Sequence, residues 1–168
     1  MKLTQEHKES LACFSLGSNL GNRVAYLERA SLLLESKIGR LAYLSPMFES
    51  PSWGYQSDQP YINSCLAFYT KKRPLQLMEI ALEIEKQMGR SRQGKGYADR
   101  VIDIDLLLVD DLVMDHPRLI LPHPRMMERR FVLVPLNKIL PEMRHPKSGQ
   151  TISELLEQCP DQSPITPV

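Results

Sequence analysis

One apolar run in the second half of the chain carries two carboxylates, and this combination constrains the fold more than any other feature. The run, RVIDIDLLLVDD, covers residues 100–111 and is rich in the Val, Ile and Leu typical of a strand covered on both faces. Asp103 and Asp105 interrupt it. Residues two apart on a strand share a face and lie about 6–7 Å apart along it, so both carboxylates point the same way.

Two like charges side by side near a core are unfavourable unless a cation lies between them. Hard divalent ions take oxygen ligands of this kind, so one interpretation of the pair is a Mg²⁺ site. The other interpretation is a half-exposed strand whose wet face carries both aspartates. The flanking Ile and Leu residues, with Arg100 just upstream, favour the metal.

Composition predicts one domain over residues 1–168, with loosely ordered tails at 1–9 and 160–168. The 168 residues are 42% hydrophobic and 24% charged, which suits a single core. A net charge of +1 provides no general electrostatic attraction for nucleic acid or a membrane surface.

Three scattered cysteines without a C-x-x-C pair indicate reduced thiols rather than disulfides or zinc. With a polar N-terminus and no apolar run of about 20 residues, the sequence predicts a cytoplasmic protein without a membrane span.

Turn and cap residues divide the chain into alternating elements. Strand patterns cover residues 11–16, 41–48, 61–69 and the Asp-containing run, and helical patterns cover 24–38 and 74–88. The order β-α-β-β-α-β is typical of a ferredoxin-like sandwich, an α/β (α+β) fold with a mainly antiparallel sheet and its helices on one face. Further along, the sequence predicts an edge hairpin from 112–114 and 119–121. Extra C-terminal helices follow, at 124–140 with a break at Pro135 and at 153–158.

A glycine-rich basic loop, residues 89–99, leads into the Asp-containing run. Its first seven residues fit the phosphate-loop spacing G-x-x-x-x-G-K, but Gly96 stands where Ser or Thr should ligate Mg²⁺. The context also differs, because this loop leaves a helix and enters a strand, so no helix N-terminus would face the phosphates. A basic loop beside a predicted metal site still indicates a polyphosphate ligand.

Five motifs occur in order over residues 11–140: GSNLGNR at 17–23, ESPSWG…QPYINS at 49–64, IEKQMGR at 84–90, DRVIDIDLLL at 99–108 and LPHPRMMERRFVLVPL at 121–136. Together they make the chain resemble the 6-hydroxymethyl-7,8-dihydropterin pyrophosphokinase family of folate biosynthesis. The resemblance implies a ferredoxin-like fold and transfer of pyrophosphate from ATP to the pterin hydroxymethyl group. It also implies release of AMP and a requirement for Mg²⁺.

The resemblance assigns residues to the phosphate side of the site. Asp103 and Asp105 match aspartates that hold two Mg²⁺ ions between the ATP phosphates and the pterin hydroxyl, where metal ions offset charge that develops during transfer. Arg90 and Arg100 match arginines that flank the catalytic loop, and are assigned to catalysis. The residues assigned to ATP binding are Glu85, Arg92, Tyr97, Arg118, His123 and Arg129. Without the motifs, these would be interpreted as ordinary loop or surface residues.

The resemblance also assigns a pterin side. Tyr61 and Phe131 match an aromatic pair that sandwiches the flat ring, and Asn63 matches an amide that hydrogen-bonds its polar edge. Without the resemblance, ordinary core packing would explain both aromatic residues. Ser50, Pro51 and Trp53 belong to the covering loop. Three positions depart from the family pattern, namely Gly96, Tyr97, which stands where some members have Trp, and Asp99.

Two other functions remain open on the sequence. A ferredoxin-like sheet can be an RNA-binding module, but no aromatic-rich RNA-binding strand is visible and the net charge is low. A different metal-dependent phosphotransferase or nuclease would use Asp103 and Asp105, but would have no need of Asn63 between aromatic layers. The expected partners are therefore ATP and the pterin alcohol, without nucleic acid or membrane, and the expected state is a monomer.

Overall fold

The computed structural model describes residues 8–91 and 96–168. A six-stranded sheet forms the centre, and four helices pack on it. The strands are β1 (Ser10–Ser18), β2 (Arg40–Leu44), β3 (Phe48–Ser50), β4 (Tyr61–Thr70), β5 (Asp103–Val109) and β8 (Thr166–Pro167), with a separate hairpin of β6 (Met114–His116) and β7 (Leu119–Leu121). The helices are α1 (Arg23–Ile38), α2 (Pro74–Gln87), α3 (Arg130–Ile139) and α4 (Ile152–Glu157), and a 3-10 turn spans Met126–Glu128.

The sheet has the order β5-β1-β4-β3-β8, with β2 also paired to β4, and its strand pairs are antiparallel. The predicted ferredoxin-like fold is confirmed. The single strand expected over residues 41–48 is two strands, β2 and β3, on the same edge of β4. Pro46 has no N–H for the ladder, and Ser45 replaces the lost pairing because its Oγ accepts the Cys65 N–H at 2.9 Å.

The first face of the sheet carries the larger apolar core. Helices α1 and α2 pack on β4 and β5 over the even-numbered side chains of β1, such as Phe14, whose ring meets that of Phe68 edge-on at 5.9 Å. Asn22 begins α1 by accepting the Ala25 N–H through its Oδ1 at 3.1 Å. Pro74 begins α2 at a position where a helix needs no backbone donor. Both helices of the β-α-β-β-α-β unit therefore lie on one face, as predicted.

The second face is covered only in part. Helices α3 and α4 pack over the half of this face that carries Cys13, Cys65 and Ala67. Helix α3 continues through the buried Pro135, so the predicted break there is wrong. Packing of Val132, Leu133 and Leu136, which are fully buried, offsets the backbone hydrogen bond that proline cannot make.

Residues 160–168 are tied to the domain rather than loosely ordered. Asp161 accepts the Arg130 N–H through its Oδ2 at 3.1 Å and so caps α3, whose own N-cap residue provides no side-chain cap. Strand β8 then pairs with β3. The prediction of a loose tail is wrong here because these contacts join residues about 30 and 120 positions apart, which local composition does not indicate. Residues 1–7 of the other predicted tail lie outside the described part.

Within residues 8–91 and 96–168, no helix is long and apolar enough to cross a bilayer.

We expect Asp161→Ala to lower the free energy of unfolding by about 1 kcal/mol, because α3 loses its only side-chain cap among the described residues. That loss corresponds to a fall of about 2–4 °C in the midpoint of thermal unfolding for a chain of this size. Asp115→Ala, which removes an exposed aspartate from β6, is the charge-matched control. Equal midpoints for the two variants would show that Asp161 does not stabilise α3.

Candidate active site

The register of the sheet places the candidate residues in rows on the open half of the second face. Asn63 of β4 pairs with Gly17 of β1, and Gly17 pairs with Asp103 of β5. One step along, Ser15 pairs with Asp105. Strand β3 extends the surface, since Ser50 pairs with Tyr61. Strand pairing alone therefore brings the predicted carboxylates and the predicted pterin residues onto one surface.

Arginines hold both carboxylates. Arg90 donates through Nη1 to Asp103 Oδ1 at 2.7 Å, and Arg100 Nη1 lies 3.4 Å from Asp103 Oδ2. Arg129 donates through Nη1 to Asp105 Oδ2 at 3.3 Å, and His123 Nε2 lies 3.9 Å from the same oxygen. Each aspartate side chain is 29% exposed, so the pair lies at the boundary between core and solvent.

This arrangement shifts two titrations in opposite directions. Burial and the neighbouring Asp103 carboxylate raise the pKa of Asp105 to about 7. Burial and the Arg129 guanidinium lower the pKa of His123 to about 4. His123 is therefore neutral at pH 7, and its Nε2 can serve as a neutral hydrogen-bonding group.

Glu85 contacts the aspartate strand from the core. It lies on α2, is 2% exposed, and accepts the Arg90 guanidinium at 2.5 Å and the Ile104 N–H at 2.8 Å. One carboxylate thus joins α2, β5 and Arg90. The structure places Glu85 behind Arg90, in the core, although the sequence assigned it to the nucleotide side.

A cavity opens where α3 leaves the second face uncovered. It is lined by Ser50, Pro51, Trp53, Tyr61, Asn63 and Phe131, which are all the residues predicted for the pterin, and by Arg100, Asp103, Asp105 and Arg129. Tyr97 lines the same cavity, although the sequence placed it with ATP. Its ring lies edge-on to Trp53 with centroids 6.3 Å apart, and its hydroxyl accepts a hydrogen bond from Arg125.

Asn63 is the most enclosed polar group of the cavity, at 1% exposure. Its Nδ2 donates to Ser50 Oγ at 2.8 Å. Gly17 lies beside its Oδ1, where an added Cβ would come within 3.3 Å of that oxygen and 3.4 Å of the Tyr61 ring. Only glycine leaves both groups this room.

Sequence reasoning missed three lining residues, Ser15, Gly17 and Tyr55. Ser15 and Gly17 looked like parts of a strand and a turn, and their role depends on a register with strands about 50 and 90 residues away. The alternation that places Asp103 and Asp105 on one face would also have placed Ser15 and Gly17 on one face. Tyr55 gave no such signal, because it lies in an irregular loop.

A second, open groove adjoins the cavity. Arg118 and His123 line it, together with apolar side chains of α2, β5 and β7, and Asp105 borders both spaces. Arg118 is exposed, and its Nη1 lies 3.1 Å from Glu79 Oε1. Arg92, the remaining residue assigned to ATP, lies outside the described residues. Among the described residues, no cluster of three or more His, Cys, Asp or Glu side chains forms a ready metal site.

Comparison with known proteins identifies the family. Residues 13–141 match the family described as 7,8-dihydro-6-hydroxymethylpterin-pyrophosphokinase. The chain belongs to this pyrophosphokinase family. Curated relatives include the 2-amino-4-hydroxy-6-hydroxymethyldihydropteridine pyrophosphokinase of Porphyromonas gingivalis, 38% identical over 83% of this chain and 96% of that protein. The enzyme of the same name from Bacillus subtilis is 33% identical over 86% of this chain and 87% of that protein.

Solved structures agree on the fold. A crystal structure of a Plasmodium falciparum HPPK-DHPS triple mutant superposes with a TM-score of 0.72 at 18% identity, covering 92% of this chain and 45% of that longer protein. The predicted family and enzyme class, an ATP-dependent diphosphotransferase of folate biosynthesis, are therefore confirmed. The roles of individual residues stay predictions.

We expect Asp105→Asn to stabilise the ligand-free pyrophosphokinase at pH 7.5. Because the pKa of Asp105 is raised to about 7 in the folded state, the wild-type chain loses stability as the pH rises from about 4 to about 7, and asparagine removes this loss. The midpoint of thermal unfolding in EDTA should rise by about 2–6 °C at pH 7.5 and change much less at pH 5. A fall at pH 7.5 would mean that pairing with Arg129 outweighs burial.

Proposed function

We propose that the chain transfers pyrophosphate from ATP to the hydroxymethyl group of 6-hydroxymethyl-7,8-dihydropterin by holding the two substrates on either side of Asp105. The observation that carries this proposal is that Asp105 borders both the aromatic cavity and the adjoining groove. A flat acceptor in the cavity and a triphosphate in the groove would therefore meet at the paired carboxylates. Such juxtaposition converts a bimolecular transfer into an effectively intramolecular one.

The cavity suits a planar heterocycle. Tyr61 and Phe131 provide aromatic faces, and the amide of Asn63 provides a donor and an acceptor. Because Nδ2 is engaged by Ser50, we assign Oδ1, beside Gly17, to accept a ring N–H. Ser50, Pro51 and Trp53 would then border the ring.

The groove suits a nucleotide. Its apolar floor can take a base, while Arg118 and the neutral Nε2 of His123 lie where phosphate or ribose oxygens would approach. We assign Arg92 and Arg129 to the phosphates, and Tyr97 to the wall of the cavity that it lines. Glu85 supports this arrangement indirectly through Arg90.

The donor set of the site fits Mg²⁺. This ion is bound in proteins by one or two carboxylates together with substrate phosphates and water. Two aspartates, with no larger cluster of ligand side chains in the part of the chain that the structure describes, are compatible with it. We propose that Asp103 and Asp105 hold two Mg²⁺ ions when the nucleotide is present. Bound there, the ions supply charge neutralisation for the transferring phosphoryl groups.

The arginines of the site would also offset the negative charge of the transferring phosphoryl groups. Arg90 and Arg100 hold Asp103 in the ligand-free chain, and a polyphosphate offers them stronger bidentate partners. Glu85 keeps Arg90 oriented from the core, so Arg90 can reach a phosphate without losing its own anchor. This restricts the guanidinium before substrates arrive, as electrostatic stabilisation of a transition state requires.

We propose that the enzyme is a monomer. The buried thiols of Cys13, Cys65 and Cys159 support a reducing, cytoplasmic setting. Light scattering across a range of protein concentrations tests the first point.

The decisive assay incubates the chain with ATP, Mg²⁺ and 6-hydroxymethyl-7,8-dihydropterin. We expect AMP and the pterin diphosphate in equal amounts, and loss of most turnover in Asp103→Ala and Asp105→Ala because the metal ligands are removed. Release of ADP instead of AMP would indicate monophosphoryl transfer. Near-normal turnover in both variants would contradict the metal assignment.

Variants of the cavity should separate selectivity from affinity. We expect Asn63→Ala to weaken pterin binding by about 5- to 100-fold and to relax selectivity against analogues lacking the polar edge, since a buried amide discriminates strongly. Phe131→Ala should weaken binding without relaxing selectivity. Asp115→Ala, which changes an exposed residue of β6 away from the cavity, is the control and should leave pterin binding unchanged. Calorimetric titration with the pterin, its analogues and an ATP analogue measures these effects, and a large loss of nucleotide affinity in both Asn63→Ala and Phe131→Ala would refute the assignment.

A further inference from the structure

Asp99 receives an unusual set of hydrogen bonds for an exposed loop carboxylate. Asn19 donates to its Oδ1 through Nδ2 at 2.8 Å, and Tyr55 donates to the same oxygen at 3.0 Å. Together with a side-chain hydrogen bond from Ser57, these donors lower the pKa of Asp99 below its usual range. Asp99 is therefore a carboxylate that only accepts hydrogen bonds at neutral pH.

The acceptor character of Asp99 fixes the direction of a longer chain. The Tyr55 and Tyr61 hydroxyl oxygens lie 2.6 Å apart, and either could be the donor in isolation. A phenol carries one proton, and Tyr55 uses its proton on Asp99. Tyr61 must then donate to Tyr55. The resulting hydrogen-bond chain runs from Tyr61 through Tyr55 to Asp99.

We propose that Asp99 is a positioning residue for the acceptor substrate, which fixes the ring of Tyr61 through Tyr55. The proposal rests on the proposed function, in which Tyr61 lies against the pterin. Tyr61 lines the cavity, whereas Asp99 does not. The residue therefore acts through the hydrogen-bond chain and not by touching the ring.

Neighbouring contacts of this hydrogen-bond chain support a positioning role for Asp99. Tyr55 is also stacked on Tyr97, with ring planes 5° apart and centroids at 6.1 Å, so fixing Tyr55 fixes a second wall of the cavity. Asn19 is 1% exposed and forms two further bonds to the segment after Asp99, because its Oδ1 accepts the Arg100 N–H at 2.8 Å and its own N–H donates to the Arg100 carbonyl at 3.1 Å.

Removing the acceptor should affect binding more than turnover. Without Asp99, Tyr55 loses the partner that orients its proton, and the Tyr61 hydroxyl can turn towards the Ala98 carbonyl at 3.5 Å. Asn19 keeps its bonds to Gln59 and Arg100, so the arginine beside Asp103 stays in place. The rings of Tyr55 and Tyr61 would then be less ordered in the free protein. Binding would have to order them again, and this cost lowers the affinity for the pterin.

The test uses Asp99→Ala, Asp99→Asn, Tyr55→Phe and the double variant Asp99→Ala with Tyr55→Phe. Trp53 is the only tryptophan of the chain and lines the cavity, so its fluorescence reports pterin binding directly. We expect Asp99→Ala to raise the pterin Kd and KM about three- to tenfold, with kcat and the KM for ATP within about twofold. Asp99→Asn should restore the wild-type values to within about twofold, because its Oδ1 accepts the same two hydrogen bonds.

The hydrogen-bond chain also predicts that the losses of pterin affinity in the single variants do not add. Tyr55→Phe should match Asp99→Ala, and the double variant should be no weaker than either single variant, since each breaks the same chain. Asp58→Ala removes an exposed carboxylate from the loop that carries Tyr55 and is the charge-matched control, expected to bind the pterin as the wild type does.

The proposal is overturned by additive losses in the double variant, by an Asp99→Asn variant as weak as Asp99→Ala, or by an equal loss in Asp58→Ala. The same titrations separate this proposal from the proposed function. A wild-type chain that neither binds the pterin nor forms AMP refutes the function. A wild-type chain that does both, with every variant unchanged, refutes only the role of Asp99.

Discussion

Compensation of charge on the open half of the sheet is the constraint on which the rest of the site depends. Glu85, Asp103 and Asp105 place three carboxylates within one small region, and Arg90, Arg100 and Arg129 oppose them. Removing one of the arginines would leave a partly buried carboxylate without its partner, which is far more costly than losing an exposed ion pair. The ligand-free site is therefore close to neutral. In the proposed function, two Mg²⁺ ions would carry as much positive charge as the ATP triphosphate carries negative charge, so their joint binding would preserve that neutrality.

The shape of the site follows from incomplete coverage of the sheet. Helices α1 and α2 close the first face, but α3 and α4 cover only the Cys13 side of the second. On the uncovered half of that face, Ser15 and Gly17 leave depth where a larger side chain would fill it. The same strands thus build a core on one side and a substrate cavity on the other, and a single register sets both.

Local periodicity was sufficient for some parts of this arrangement. Alternation along one strand placed Asp103 beside Asp105, and along another it placed Tyr61 beside Asn63, because both inferences need only neighbours in sequence. Gly17 needed the pairing of three strands, which no local pattern contains. The continuous helix across Pro135 needed knowledge of packing that outweighs a local helix-breaking preference. Motif resemblance placed Tyr97 with the nucleotide, whereas its position in the structure depends on aromatic neighbours from another loop.

Residues 161–168 contact two elements that contribute residues to the cavity. Asp161 holds the start of α3, which carries Phe131, and β8 pairs with β3, which ends at Ser50. We therefore expect local unfolding of this segment to loosen Phe131 and Ser50 together. A ligand that binds in the cavity must draw that unfolding equilibrium towards the folded form, so occupancy of the cavity protects the last eight residues from exchange and proteolysis. An affinity tag placed after Val168 that loosens this segment would lower substrate affinity, although the tag itself lies outside the cavity.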